Sequence, residues 1–390
     1  MNKITVLLIA FMAAIGPLST DIYLPGLPNI AVDLGTNASG GQLSLTACFL
    51  GLAIGQIIIG PWSDGVGRRK PAILSFLGFA ITSFLCSTAT SLPMFLLWRF
   101  VQGLAGAGCI VLARSIASDR FSGNELTRFI ALLVLISSVV PIAGPIIGGF
   151  ILEHFKWPYI FMLLTVAGVI GSIGVLWQLP ETLPLEQRIE GGLKTSIHNM
   201  STLWQNKAYR GYLLVQGFTA MGLFGYIGAA PFIMEEIYGL SPSEFSLFFG
   251  LGSASFALAA QISGRISKAF GEHQILKIGI GLGGLIGCGL LIASFIQPET
   301  PYLVGGLLLG LIFSCGINLP LSFSCGMNSH IGIAGSASGL LGVMAFLAGA
   351  IASPLVGLGG GHSMWPLTVL VMIVHGLAIV AMKQVTLDIQ

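Results

Sequence analysis

One carboxylate of this sequence lies inside an apolar segment. Asp21 ends an apolar run that begins after Lys3, and a straight helix from Lys3 would place it about 27 Å along the axis, in the outer half of a membrane. An ionisable side chain at such a depth is costly and usually serves the movement of an ion or substrate. We therefore predict that Asp21 binds a proton and contacts substrate; a cap near the outer helix end is the structural alternative.

Arg99 is the candidate partner of this carboxylate. It lies six residues after Pro93, roughly 9 Å inside the fourth apolar segment, with Gln102 on the same helical face. Because a buried arginine needs a partner, we expect Arg99 and Gln102 to meet Asp21 at the substrate site; an arginine that snorkels to the outer interface is the alternative. Arg114 lies about 31 Å from Pro93 and is predicted to be an interfacial anchor.

Three polar residues in later apolar segments are weaker candidates for substrate contact. They are Gln216, Tyr226 and Asn318. Such side chains either line a cavity or form hydrogen bonds between helices, and the sequence leaves both alternatives open.

The composition indicates a membrane protein. Of the 390 residues, 54% are hydrophobic and 8% are charged, against about 25% charged residues in soluble domains. The formal net charge of +2 leaves no basic surface for nucleic acid. These values exclude soluble enzymes and nucleic-acid-binding proteins, and the 54 glycines suit helices that pack closely in a bilayer.

Apolar runs predict an all-α membrane protein with twelve transmembrane helices. The predicted spans are 4–26, 42–63, 72–90, 93–116, 127–152, 158–179, 209–231, 242–264, 274–296, 301–325, 335–358 and 364–383. The polar stretch 180–208 divides them into six-helix halves at 1–179 and 209–390. All Lys and Arg residues except Lys156, Arg99 and Arg114 fall on one side, which predicts that both termini and the central loop are cytoplasmic.

The two halves repeat one another. Gly60, Ser63 and Gly67 recur 204 residues later as Gly264, Ser267 and Gly271, and Trp157-Pro158 recurs as Trp365-Pro366. Parallel repeats of this kind are a transporter design in which substrate binds between the halves near mid-depth.

The loop after the second span carries a specific motif. Residues 60–71 read GPWSDGVGRRKP, which resembles the G-x-x-x-D-x-x-G-R-[RK] signature of the major facilitator superfamily. We expect Asp64, Arg68 and Asp119 to form a charge network at the cytoplasmic face. This network would act as a latch that forms only when the halves close on that side, in the outward-open state.

Two further motifs resemble those of proton-coupled members of the superfamily. Arg99, Gln102 and Gly103 fit the R-x-x-Q-G pattern, and the fifth span fits the G-P-x-x-G-G antiporter motif of drug:proton antiporters. The residues of that second motif are Pro141, Gly144, Pro145, Gly148 and Gly149, and its prolines should bend the helix.

The first span resembles that of the Bcr/CflA group, which includes bicyclomycin and chloramphenicol resistance exporters. The resemblance rests on the string STDIYLPGLP at 19–28. It implies a proton-coupled multidrug exporter in the bacterial inner membrane, a monomer without cofactors whose partners are drugs, protons and lipid. The chain departs from the group at Gly65 and Trp62 in the loop motif, and Ala13 stands where some related exporters carry a second carboxylate.

The sequence also bears on two other function classes. An exporter of an endogenous metabolite, such as an amino acid or sugar, would share this architecture, with drug resistance incidental. A membrane-embedded enzyme would need a nucleophile–base pair or a metal set within the spans, and neither the six cysteines nor the histidines have metal-ligand spacing. The sequence therefore predicts a transporter that is not an enzyme and has no metal site.

Overall fold

The computed structural model describes residues 3–121, 123–188, 192–329, 334–359 and 361–387, and regular secondary structure in these ranges is helical. The α-helices are α1 Lys3–Asp21, α2 Leu27–Asp33, α3 Ala38–Val66, α4 Arg69–Ser87, α5 Leu92–Arg120, α6 Gly123–His154, α7 Pro158–Gln178, α8 Gly192–Gln205, α9 Lys207–Pro231, α10 Pro242–Phe270, α11 Glu272–Ile296, α12 Pro301–Asn328, α13 Ala334–Gly357 and α14 Trp365–Leu387. Short 3₁₀ turns lie at Leu24–Gly26 and Leu185–Gln187, and a π-helical turn follows α9 at Phe232–Ile237.

The predicted fold class is confirmed. Eleven helical segments of the described chain are long and apolar enough to cross a bilayer. A twelfth helix, α6, is 32 residues long and carries the apolar stretch Val139–His154. The fold is therefore an all-helical membrane bundle of two six-helix halves. The segment predicted as a plain loop at 180–208 contains α8, and the exact limits of the halves stay a prediction.

The first span is longer than predicted and is broken in the middle. α1 ends at Asp21, and the 3₁₀ turn and α2 continue the span to Asp33. Pro25 and Pro28 follow the break, where proline cannot supply the backbone donors of a continuous helix. The predicted end of the span at residue 26 is wrong, because the span continues to Asp33, twelve residues beyond Asp21.

The repeated helix ends have the same geometry in both halves. Gly67 caps the C-terminus of α3 with φ 97°, and Gly271 caps that of α10 with φ 82°; this region favours glycine because glycine has no Cβ. The N–H of Gly67 donates to the Ser63 carbonyl at 3.0 Å, and that of Gly271 donates to the Ser267 carbonyl at 2.8 Å. This match supports a duplication.

Glycines permit close packing of α3 on α5 in the first half. A Cβ on Gly103 would overlap the carbonyl oxygen of Cys48, and one on Gly51 would overlap that of Phe100. Backbones can approach this closely only where side chains are absent, as is common between membrane helices.

The two halves are joined by hydrogen bonds on the side that the charge pattern predicts to be outside. Gln42 Nε2 of α3 donates to the Gly228 carbonyl of α9 at 2.8 Å. Ser39 Oγ donates to the Gly357 carbonyl at the end of α13. The described conformation is therefore closed on the predicted outer side.

We predict that Gly103→Ala destabilises the first half. The added methyl would meet backbone rather than a flexible side chain, and overpacking of this kind costs about 1–3 kcal/mol. Thermal unfolding of the purified protein in detergent should show a midpoint several degrees below wild type. Gly106→Ala is the matched control, because its nearest atom lies 3.8 Å away. Equal midpoints for the two variants would contradict close α3–α5 packing.

Candidate transport cavity

A cavity of about 480 Å³ lies between the two halves, within the range that encloses drug-sized ligands. Its walls come from α1, α3, α5 and α6 of the first half and α9, α10, α12 and α13 of the second. Much of the wall from the second half is aromatic, formed by Phe224, Tyr226, Phe249, Phe256, Phe323 and Phe346. The cavity thus offers an apolar, ring-rich surface to a bound molecule.

Asp21 lies in the cavity wall at the break in the first span. Its side chain is buried, and Thr20 Oγ1 lies 3.0 Å from Asp21 Oδ1 as a hydrogen-bond donor. The ion pairs formed by the residues that the structure describes do not include Asp21. A carboxylate held in an apolar cavity without a counter-charge is well placed to exchange a proton or a cation.

Glycines of the predicted antiporter motif hold α6 against this break. A Cβ on Gly144 would lie 3.4 Å from the backbone nitrogen of Ile22, and one on Gly148 would overlap the Ile22 carbonyl oxygen. A Cβ on Gly149 would lie 3.1 Å from the Pro242 carbonyl oxygen of α10. The motif therefore places α6 in close contact with the residue after Asp21 and with the second half of the protein.

The prolines of the motif leave a carbonyl group open to the second half. Pro145 has no N–H, so the Pro141 carbonyl lacks its usual i→i+4 partner within α6. Ser253 Oγ of α10 lies 3.1 Å from this carbonyl and 3.1 Å from the Phe249 carbonyl of its own helix, and it can donate to either. Both Pro141 and Ser253 line the cavity. The sequence carried no signal for Ser253.

Arg99 is fully buried beside α1 but outside the cavity wall. Its guanidinium stacks on Tyr23, with Cζ 4.3 Å from the ring centroid, and Nη1 donates to Gln102 Oε1. Gln102 Nε2 in turn donates to Ser83 Oγ at 2.6 Å. Arg99 Nε and Nη2 have no hydrogen-bond partner among the described side chains and backbone. The expected Asp21–Arg99 ion pair is thus not formed in this conformation, although Tyr23 connects Arg99 to the same break.

The other predicted substrate-binding residues divide into two groups. Gln216 and Tyr226 line the cavity; Gln216 Oε1 accepts from Ser322 Oγ at 2.5 Å, and the buried Tyr226 hydroxyl has no partner in the described part of the chain. Asn318 is buried outside the cavity wall, where its Nδ2 lies 3.3 Å from Ser314 Oγ. That hydrogen bond lies within α12, and Asn318 also packs on α11, because a Cβ on Gly279 would overlap its Oδ1.

Arg114, predicted to be an interfacial anchor, lies in the cavity wall instead. Its side chain is accessible in the cavity, six residues before the end of α5, in the half of the membrane predicted to face the cytoplasm. Gly106, Ile110 and Arg114 recur at four-residue spacing and so share one helical face. A Cβ on Gly16 of α1 would collide with the Ile110 side chain, so this face is turned toward α1. The four-residue spacing is the sequence signal that places Arg114 on the face of α5 turned toward α1.

The predicted charge network forms at the end of α3. Buried Arg68 donates from Nη1 to Asp64 Oδ1 at 2.5 Å and from Nε to Asp119 Oδ2 at 3.0 Å. Thr182 Oγ1 also donates to Asp119 Oδ2 at 2.9 Å. Burial alone would lower the pKa of Arg68, but Asp119 and Asp64 outweigh it and raise that pKa above its usual value.

The charge network does not require the two halves to close on the cytoplasmic side, contrary to the prediction. Asp64, Arg68 and Asp119 all belong to the first half, and the network is formed while the two halves are joined on the opposite side of the membrane. It therefore ties together the ends of α3 and α5 without any residue from the second half.

Glu181 caps the same region from the segment after α7. Its carboxylate accepts backbone N–H groups of Arg68 at 2.7 Å, Arg69 at 3.2 Å, Thr182 at 3.0 Å and Leu183 at 3.1 Å. Partial burial acts to raise the pKa of Glu181, but these N–H donors together hold it below its usual range. Glu181 thus fastens the α3–α4 loop to the chain that leaves the first half, a role that no sequence motif indicated.

Comparison with known proteins gives one family. A model of the Major Facilitator Superfamily matches residues 9–354. The chain is 38% identical over 353 residues to a Bacillus subtilis protein named "Uncharacterized MFS-type transporter YdgK", covering 90% of this chain and 88% of the relative. It is 30% identical over 356 residues to a "Bicyclomycin resistance protein homolog" of Haemophilus influenzae, with the same two coverages of 90% and 88%.

A solved structure shares the fold. It is a bacterial homologue of the human lysosomal transporter Spinster, in an inward-facing and unoccupied conformation, with a TM-score of 0.79 and 15% identity. The alignment covers 98% of this chain and 97% of that one. At this identity the likeness concerns the fold alone.

We predict that Glu181→Gln destabilises the protein in a pH-dependent way. Because the folded pKa of Glu181 lies below its unfolded value, its stabilisation is complete above the unfolded pKa, about 4.3, and is lost as pH falls through the folded pKa. The variant should therefore unfold a few degrees below wild type at pH 7, with the difference shrinking below about pH 4. Exposed Glu186→Gln is the control. A difference that stays constant with pH would rule out the carboxylate's role.

Proposed function

The chain belongs to the Major Facilitator Superfamily and is a multi-pass membrane transporter; from that premise we propose that it exports drugs in exchange for protons. The observation that carries the proposal is Asp21, a carboxylate at the break in the first span that faces an aromatic cavity between the halves. The predicted resemblance to the Bcr/CflA group agrees with a relative named for bicyclomycin resistance.

In this proposal, drug and proton compete for Asp21. A drug that enters from the cytoplasm contacts the ionised carboxylate and the aromatic wall, and a proton from outside neutralises the carboxylate and releases the drug. Neutralisation of Asp21 changes the electrostatic interactions at the break in the first span. α6 contacts this break through Gly144 and Gly148. Since α6 also packs on α10 through Gly149, a shift at the break is transmitted to the interface between the halves.

Arg99 takes the role of a positioning residue. A buried cation whose Nε and Nη2 are unsatisfied in the described structure is costly, and such a group is retained where function needs it. In the state open to the outside, we assign these two donors to the ionised Asp21. In the described conformation, which is closed on the predicted outer side, the contact between Arg99 and Tyr23 holds the break in place.

The charge network makes the first half move as one body. Arg68 joins Asp64 at the end of α3 to Asp119 near the end of α5, and Glu181 fastens the segment after α7. Alternating access in this architecture is largely a rocking of one half against the other. We therefore assign to this network the task of keeping the first half rigid while it moves. We further propose that the protein is a monomer of the bacterial inner membrane with both termini in the cytoplasm.

Export of an endogenous metabolite is the second candidate. A sugar would require many polar groups around its hydroxyls, because buried donors and acceptors must be paired. The cavity wall is instead mostly apolar and aromatic, which favours amphiphilic molecules. Parallel transport assays with labelled sugars, amino acids and hydrophobic drugs would separate the two candidates.

We predict that Asp21→Asn abolishes proton-driven drug export and leaves folding intact, because asparagine keeps the shape and cannot titrate. In everted vesicles that carry the full chain, addition of drug should release protons for wild type, with at least a tenfold smaller signal for the variant. Asp33→Asn, at the far end of the same span and outside the cavity wall, is the control. Undiminished proton release by Asp21→Asn would contradict its coupling role.

We predict that Arg99→Lys retains only a small part of the transport activity and that Arg99→Gln retains less. Lysine is a point charge without the planar fork that stacks on Tyr23 while donating to Gln102. The pH dependence of export should also shift in Arg99→Lys, because the environment of the break changes while Asp21 is kept. Wild-type rates and an unchanged pH profile in both variants would reassign Arg99 to a merely structural role.

A further inference from the structure

The cavity holds a second charge that the exchange at Asp21 does not use. Arg114 lies in the wall with an exposed side chain, and it forms no hydrogen bond or ion pair with another side chain that the structure describes. A guanidinium offers five donors in a planar fork that matches a carboxylate. An uncommitted arginine in a substrate cavity is thus equipped to bind an anionic group.

The packing of α1 on α5 gives the distance between the two charged residues. Gly16 of α1 faces Ile110 of α5. From this level, Asp21 is five residues toward the outer side and Arg114 is four residues toward the inner side, which gives a separation of about 14 Å between their backbone positions along the membrane normal. The two charges therefore lie at opposite ends of the cavity, and no ion pair joins them in the described conformation.

A neutral hydrogen-bonding group lies between these charges. Gln56 of α3 lines the cavity beside Gly342 of α13. Its neighbour Gly55 packs on Ala107 of α5, about two helical turns on the outer side of Arg114. The cavity thus presents a cation, an amide and a carboxylate in succession, with aromatic rings on the facing wall.

We propose that Arg114 forms an anion-binding subsite and that the transported drugs include zwitterionic amphiphiles. This inference rests on the proposed export function and names its substrate class. The carboxylate of the drug would bind Arg114, its rings would lie on the aromatic wall, and its basic group would be placed near Asp21. Charges fixed at both ends of an apolar cavity select one orientation of such a molecule, and Arg114 repels molecules that carry a cation at each end.

The test compares two probes that differ in one group. Ciprofloxacin carries a carboxylate and a basic amine on one ring system, and its methyl ester lacks only the anionic charge. Dissociation constants for both probes are measured with the purified full chain in detergent for wild type, Arg114→Gln and Arg114→Lys. Arg120→Gln is the control, since Arg120 lies at the end of the same helix and outside this cavity.

The expected result is a selective loss of affinity. Arg114→Gln should weaken binding of ciprofloxacin at least tenfold and leave the ester within about twofold, while Arg114→Lys should lose less because it keeps the charge. Equal weakening of both probes would overturn the subsite, as would equal binding by the variants and wild type. Wild-type binding of the ester but not of ciprofloxacin would also overturn it.

The outcomes for the subsite and for the proposed function are distinguishable. Arg114-dependent binding of ciprofloxacin without proton-driven transport in everted vesicles would uphold the subsite and contradict the exchange mechanism. Proton-driven export of other drugs, together with a ciprofloxacin affinity that does not depend on Arg114, would uphold the exchange mechanism and contradict the subsite. Failure of wild type to bind either probe would overturn the zwitterion class.

Discussion

The break in the first span at Asp21 is the constraint on which the other features of the site depend. A helix interrupted inside a membrane leaves polar backbone groups that must lie against protein or water. The contacts of Gly144 and Gly148 with Ile22 cover that backbone, and Tyr23 connects it to Arg99. The carboxylate is thereby fixed in the cavity wall, where its charge can act on the packing of both halves.

The sequence predicted the broad architecture well, because hydrophobic length and charge asymmetry are properties of single segments. It also predicted that Asp64, Arg68 and Asp119 meet, since Asp64 and Arg68 lie at the end of α3 and Asp119 lies near the end of α5 at the same membrane face. It failed at the outer end of the first span, because a 3₁₀ turn that contains Pro25 leads into α2 and continues a span that apolar counting ended at residue 26. Such a continuation depends on neighbouring helices that no local pattern describes.

The position of Arg114 was missed for a related reason. Near the end of a span, an arginine at the interface and one in a water-filled cavity have the same sequence signature, and only the packing of α1 on α5 distinguishes them. Asn318 shows the opposite case, since this polar residue, predicted for the cavity, lies outside the cavity wall and packs against Gly279 of α11. Polar side chains in spans therefore identify candidates, whereas the tertiary contacts decide which of them meet substrate.

The central claim is that proton and drug share Asp21. It is tested most directly by the protons released when a cationic drug, such as tetraphenylphosphonium, binds to the purified wild-type protein in weakly buffered detergent solution. The account predicts release that approaches about one proton per bound drug as the pH falls and Asp21 becomes protonated before binding. Binding that releases no protons at any pH at which the protein stays folded would contradict it.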